Sequence, residues 1–192
     1  MKLKTVISVG TVLALNLVSL PYAAAVNTIT FNGHITDATC DVTLQYKGAE
    51  AGSEGTGSID VGEVSASALI DPNSSAGQEP FHILAKNCSL GTSAKTKIAA
   101  NFKSANGDNQ GYLNNIAIAS AATNVQFRLR DSASKIIKVN DPNQVTNTAT
   151  TTINTDVGGI TDMLYYVEFV STAGSATQGN VTSTVDYELM YQ

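Results

Sequence analysis

The sequence predicts an all-β domain of many short strands, a sandwich or a barrel. Apolar and polar residues alternate in several segments, turn-forming clusters separate those segments, and no long stretch carries the apolar spacing of a helix. The C-terminus alternates most clearly. Val181, Val185, Tyr187, Leu189 and Tyr191 share one face, with Ser183 its only polar member. Thr182, Thr184, Asp186 and Glu188 share the other, with Met190 the exception. A strand with one face on a core and the other in water has this pattern. Residues 124–130 read the same way, with Val125, Phe127 and Leu129 inward and Gln126, Arg128 and Arg130 outward. In residues 163–170, Tyr165, Val167 and Phe169 alternate with Tyr166 and Glu168. Residues 81–86 form a fourth strand. Residues 29–35 form a fifth, with Ile29, Phe31 and Ile35 on one face and Gly33 between them.

The connections fit strands. Residues 48–57 read as a small-residue loop. Asp71-Pro72-Asn73-Ser74-Ser75, Asn106-Gly107-Asp108, Asp141-Pro142-Asn143 and residues 174–180 carry turn chemistry. Residues 145–155, rich in Thr and Asn, fit either a loop or an outward-facing strand.

At the N-terminus, Lys2 and Lys4 precede an apolar run over residues 6–20, and Ala23-Ala24-Ala25 follows. This is the three-part layout of a secretory signal peptide, with cleavage expected after Ala25. The run is short for a bilayer span and is interrupted by Gly10, Thr11, Asn16 and Ser19. The expected organisation is a signal peptide over residues 1–25 and one domain over residues 26–192.

Composition narrows the function. Asp and Glu number 16 against 11 Lys and Arg, a formal charge of −5, and no basic stripe interleaves with aromatics. Nucleic acid is therefore not an expected partner. Cys40 and Cys88 are the only cysteines. In an exported chain they read as one disulfide, worth roughly 4 kcal/mol in the chain-entropy account. The competing metal reading lacks ligands, since the only histidines are His34 and His82 and there is no C-x-x-C. Both histidines fall on the polar faces of their strands. With no G-x-S-x-G elbow and no phosphate loop, no catalytic set, metal or cofactor is expected.

Several segments, in this order, resemble one family. They are Thr30-Phe31-Asn32-Gly33-His34-Ile35 ahead of Cys40, Gly62-Glu63-Val64 leading to Leu69, and Phe81, Ile83 and Ala85 spaced before Cys88. Gly111-Tyr112-Leu113 and Asn124-Val125 follow, and Gly179 opens an alternating end with Tyr191 penultimate. Together they resemble the major subunits of chaperone–usher fimbriae, in the style of type 1 and type 3 fimbrial subunits. The resemblance implies an incomplete immunoglobulin-like β-sandwich whose missing strand is supplied by a neighbouring subunit. It implies a non-enzymatic, secreted building block of a cell-surface fimbria that supports adhesion. Its partners would be identical or related subunits, a periplasmic chaperone, an outer-membrane usher and a host surface receptor. The segment from Gly179 through Val181, Val185, Tyr187 and Leu189 to Tyr191 would be the one the chaperone and the polymer read. Residues 26–31, with Ile29 and Phe31, would be the donor extension, shorter than is usual in the family. The rival place for Ile29 and Phe31 is this subunit's own first strand. A minor or tip-associated subunit with a receptor-binding role is the alternative function.

Overall fold

The structure, a computed structural model, describes residues 38–92 and 95–192. The leader, Ile29, Phe31, His34 and the strand expected over residues 29–35 lie outside the described residues. In chain order the elements are β1 (Thr39–Tyr46), β2 (Ala49–Glu50), β3 (Gly52–Ser53), β4 (Thr56–Gly57), a 3-10 turn (Ala66–Leu69), β5 (Ser74–Ser89), β6 (Lys97–Lys103), β7 (Leu113–Asn114), β8 (Gln126–Asp131), β9 (Ile136–Ile137), α1 (Gln144–Asn147), β10 (Thr151–Thr152), β11 (Ile160–Ser171) and β12 (Asp186–Tyr191).

Seven strands form one antiparallel sheet in the order β2-β1-β5-β11-β8-β7, with β9 also on the outer side of β8. A three-stranded sheet runs β10-β6-β12, and β3 pairs with β4 in a small ribbon. The alternation explains the packing. Phe81, Ile83 and Ala85 of β5, Phe127 and Leu129 of β8, and Met163, Tyr165, Val167 and Phe169 of β11 share one buried cluster with Ile98, Ala100 and Phe102 of the smaller sheet. The sheets meet through aromatic rings. Phe102 lies edge-on to Tyr165 at 5.0 Å and to Phe81 at 6.5 Å between centroids. Such pairs add about 0.5–1.5 kcal/mol to the apolar burial.

Several expectations change in detail. Residues 48–57 are not a plain loop, because three two-residue strands form there. Residues 145–155 are neither a loop nor one strand: α1 and β10 divide them. β5 extends well beyond residues 81–86, since β11 pairs with it as far back as Ser74. The outward face of β8 is not wet at Arg128, which is 7 % exposed. Glu168, opposite it on β11 and only 4 % exposed, explains why. Its Oε1 accepts from Arg128 Nε at 2.7 Å and from Arg130 Nε at 2.5 Å, and Arg128 also sits 5.8 Å over the Tyr112 ring. Burial disfavours the Glu168 carboxylate, but the two guanidinium groups outweigh it and hold its pKa below the usual value.

Cys40 and Cys88 form the expected disulfide, fastening the start of β1 to the end of β5 across a ladder irregularity between Thr39 and Asp41. The bridge spans 48 positions of sequence. Replacing both cysteines by serine should lower stability by about 4 kcal/mol, read as a fall in urea midpoint. Thiol titration of the denatured, unreduced parent should find no free thiol.

Tyr165 carries a second test. Its hydroxyl is buried in the core and accepts from the Ala100 N–H at 2.7 Å, and burial pushes its pKa from 10.0 up to about 12. The unfolded chain would lose this proton near pH 10, whereas the folded chain keeps it to about pH 12. Stability should therefore be intact below pH 10 and fall between pH 10 and 12, by about 3 kcal/mol at roughly 1.4 kcal/mol per pH unit. Urea midpoints across that range should drop in the parent and drop less in Tyr165→Phe.

Candidate functional site

The two edges of the smaller sheet are finished differently. Gln192 and Lys97 exchange both backbone hydrogen bonds, at 2.8 and 2.9 Å. Antiparallel alternation then directs the backbone groups of Met190, Glu188 and Asp186 toward β6, and those of Tyr191, Leu189 and Tyr187 away from it. The far edge of β6 is closed by β10 and then by side chains. The Ala100 N–H donates to Tyr165, and the Phe102 N–H donates to Gln144 Oε1 at 2.9 Å. Gln144 Nε2 donates back to the Phe102 carbonyl at 2.8 Å, and Asn140 treats the N–H and C=O of Ser104 the same way. Gln144 and Asn140 thus imitate a neighbouring strand. β12 has no second strand beside it among the described residues.

Beside that unpaired edge runs a groove of ≈ 960 Å³. Val181, Val185, Tyr187 and Leu189 form one wall, and Val42 and Leu44 of β1 contribute to the other. Phe81, Ile83, Phe102, Phe127, Leu129 and Phe169 reach it from the core. The strip of residues 54–62 lies along its mouth. Gly55 joins strip to wall: its carbonyl accepts from the Tyr187 hydroxyl at 2.9 Å. A Cβ there would stand 2.4 Å from Tyr187 Oη and 2.6 Å from Val42 Cγ2, at a backbone φ of +74°. Burial raises the pKa of Tyr187 and of Tyr191 above the usual tyrosine value. Ser183 Oγ, also lining the groove, is buried with no hydrogen-bond partner among the described residues.

The C-terminal residues expected on one face are therefore brought together. Tyr191 is half-buried and packs against the core cluster beyond the groove lining. Gly179 sits outside the groove, where a Cβ would stand 2.4 Å from the Ser120 carbonyl oxygen. The ladder of β12 begins only at Asp186. The alternation continues back to Val181 because Thr182 N–H and C=O bond to Asn115 Oδ1 and the Ile116 N–H instead. His82 lies on the outer face of the large sheet, half-buried, with Nδ1 2.7 Å from Asp162 Oδ1. Among the described residues no group of three or more His, Cys, Asp or Glu could hold a metal ion. The sequence pattern does not single out Gly55, Asn140 or Gln144. The small-residue run at 48–57 is the only signal for the first, and Asn and Gln beside a turn do not announce strand mimicry.

The described residues thus form an antiparallel β-sandwich in which the outer edge of β12 has no strand beside it. The chain belongs to the fimbrial protein family, which it matches over residues 29–192. It is 36 % identical over 173 residues to the major fimbrial subunit SMF-1 of Stenotrophomonas maltophilia, covering 88 % of this chain and 94 % of that protein. It is 34 % identical over 168 residues to the F17 fimbrial protein of Escherichia coli, covering 85 % and 86 %. The fold is similar to that of the P pilus rod subunit PapA, with a TM-score of 0.55 at 17 % identity over 71 % of this chain and 93 % of that one. It is also similar to a chaperone–usher pilus subunit, with a TM-score of 0.52 at 18 % identity over 91 % and 99 %. Membership makes the chain a structural, non-enzymatic component of a surface fimbria.

The side-chain seal on β6 is directly testable. Gln144→Ala would strand the N–H and C=O of Phe102 in the interior and should cost about 2–3 kcal/mol in urea unfolding. Alanine at the exposed Gln110 should cost almost nothing.

Proposed function

We propose that the groove along β12 accepts one extended strand, and that this acceptance builds the fimbrial rod. The supporting observation is the coincidence of a groove walled by apolar side chains with the unpaired edge of Tyr187 and Leu189, which continues to Tyr191 beyond it. An added strand would pair with those backbone groups and lay alternate side chains over the core. This is β-augmentation, the recognition mode by which chaperones complement pilins with a donated strand. The sandwich would then be an immunoglobulin-like fold completed from outside. The donor is the N-terminal segment of the next copy, residues 26–31, freed when the signal peptide over residues 1–25 is removed. Ile29 and Phe31 alternate on one face of it, and burying each would contribute about 1.5–3 kcal/mol. Before assembly a periplasmic chaperone covers the same edge, because an uncovered one templates aggregation. An outer-membrane usher then exchanges chaperone for donor, and the finished fibre presents the subunit to a host surface receptor. The 36 % identity to a major subunit across nearly its whole length favours the shaft over a tip role.

Phe31→Asp separates donation from membership of the subunit's own core. Donation predicts that chaperone–subunit complex is recovered from the periplasm at parental levels while fibres disappear. Loss of both complex and fibres would assign Phe31 to the internal fold, and unaltered fibres would remove it from either place.

A further inference from the structure

β6 ends at Lys103, opposite Asp186, so the ladder that holds β12 stops there. Residues 181–185 still line the groove, although among the described residues no strand pairs with them on either side. Side chains replace the ladder on the side away from the groove edge. Ser104 Oγ donates to the Thr184 carbonyl at 2.6 Å, and Asn106 Nδ2 donates to Thr184 Oγ1 at 3.0 Å. The Ile116 N–H donates to the Thr182 carbonyl at 2.8 Å.

Asn115 carries the rest. It is half-buried, and its side chain makes four hydrogen bonds, all to backbone. Nδ2 donates to the carbonyls of Ala122 at 2.9 Å and Asn180 at 2.8 Å. Oδ1 accepts from the N–H groups of Ala117 at 3.0 Å and Thr182 at 2.9 Å. Asn180 and Thr182 flank Val181, so one amide ties both sides of that residue to the loop over residues 117–122. Only an amide both donates and accepts in this way, since a carboxylate offers acceptors alone. With Thr182 and Thr184 engaged on the inner side, alternation turns the backbone groups of Val181, Ser183 and Val185 outward, in line with those of Tyr187 and Leu189. The unpaired edge then runs from Val181 to Tyr191, about 33 Å at roughly 3.3 Å per residue, about twice what the ladder alone would hold straight.

We infer that Asn115 is a positioning residue for strand acceptance: it keeps residues 180–182 extended and in line with β12, and so sets the length of edge that an incoming strand pairs with. The inference rests on the reading that β12 accepts a strand. Asn115 acts from behind, since it is not one of the residues that line the groove. Its loss would leave the β6–β12 ladder in place and release the first half of the edge. Backbone released in that way must be ordered again when the strand arrives, which opposes pairing there.

The test is amide hydrogen exchange in purified surface fibres, parent against Asn115→Ala, read by position after quenching and fragmentation. In the parent, Ser183, Val185, Tyr187 and Leu189 should all be protected, because each faces the added strand. In Asn115→Ala, protection should be lost at Ser183 and Val185 and kept at Tyr187 and Leu189. It should also be kept at Glu188 and Met190, which face β6. Alanine at the exposed Asn109 should match the parent. If the variant stops at the chaperone-bound subunit, the same amides are compared in that complex. Parental protection at Ser183 and Val185 in Asn115→Ala overturns the inference, as does their free exchange in the parent beside a protected Tyr187. Loss of protection that extends to Glu188 and Met190, or no subunit recovered from the periplasm, also overturns it, because Asn115 would then support the fold as a whole. Failure of strand acceptance itself has a different signature: Tyr187 and Leu189 would exchange freely in parent fibres.

Discussion

The backbone of a β-strand offers hydrogen bonds on two sides, and β12 has a strand on only one of them among the described residues. The smaller sheet shows that this was not forced by the fold. On the far side of β6 the same problem is solved with Tyr165, Gln144 and Asn140, each aimed at a backbone group that a strand would otherwise meet. Those side chains fill the space a strand would occupy, so that edge is closed to addition. Beside β12 the space is kept as a groove, with apolar residues where an incoming strand would bury alternate side chains. Within this three-stranded sheet, strand addition as proposed would therefore be confined to the β12 side.

The proposed acceptor would work only if its walls keep their separation. β1, on the far wall, is fastened to β5 by the Cys40–Cys88 bond and by a ladder from Asp41 to Gln45. β5 is held in turn along almost its whole length by β11. On the near side Tyr187 does two things: its ring packs 6.3 Å from Phe102, and its hydroxyl anchors the strip at Gly55. The strip therefore borders the groove without filling it. A side chain at Gly55 would collide with both walls at once. Walls held apart in advance would leave little ordering to oppose binding of the proposed strand.

The period-two pattern makes the inward faces readable. Val125, Phe127, Leu129, Tyr165, Val167 and Phe169 are all buried, and the residues from Val181 to Leu189 alternate between half-buried and exposed. The pattern says which residues share a face but not what covers it, so Arg128 and Glu168 read as surface groups although they pair across β8 and β11. The first half of β5, Ser74 to Pro80, lacks alternation because its extended form comes from pairing with β11. The groove itself is legible only as one apolar strand face. Its other wall and its mouth come from residues more than a hundred positions away, a separation that no local pattern reports.

Ser183 bears on how a strand would sit. On the face that residues 181–189 turn to the groove, Val181, Val185, Tyr187 and Leu189 flank this hydroxyl, which is buried without a partner among the described residues. A buried hydroxyl left unpaired costs roughly 1–3 kcal/mol. An occupant that presents a polar atom at that level relieves the cost, and one that presents a methyl group does not. Register along a strand changes in steps of one residue, and under the proposed donation a single step would turn Ile29 and Phe31 outward and bring Thr28 and Thr30 inward. The apolar lining resists that step through lost burial. A slip of two residues keeps the apolar face inward and escapes that penalty, so burial alone does not fix the register. If a strand is donated as proposed, a polar mark at one position on the wall would distinguish registers two residues apart, where burial alone would not.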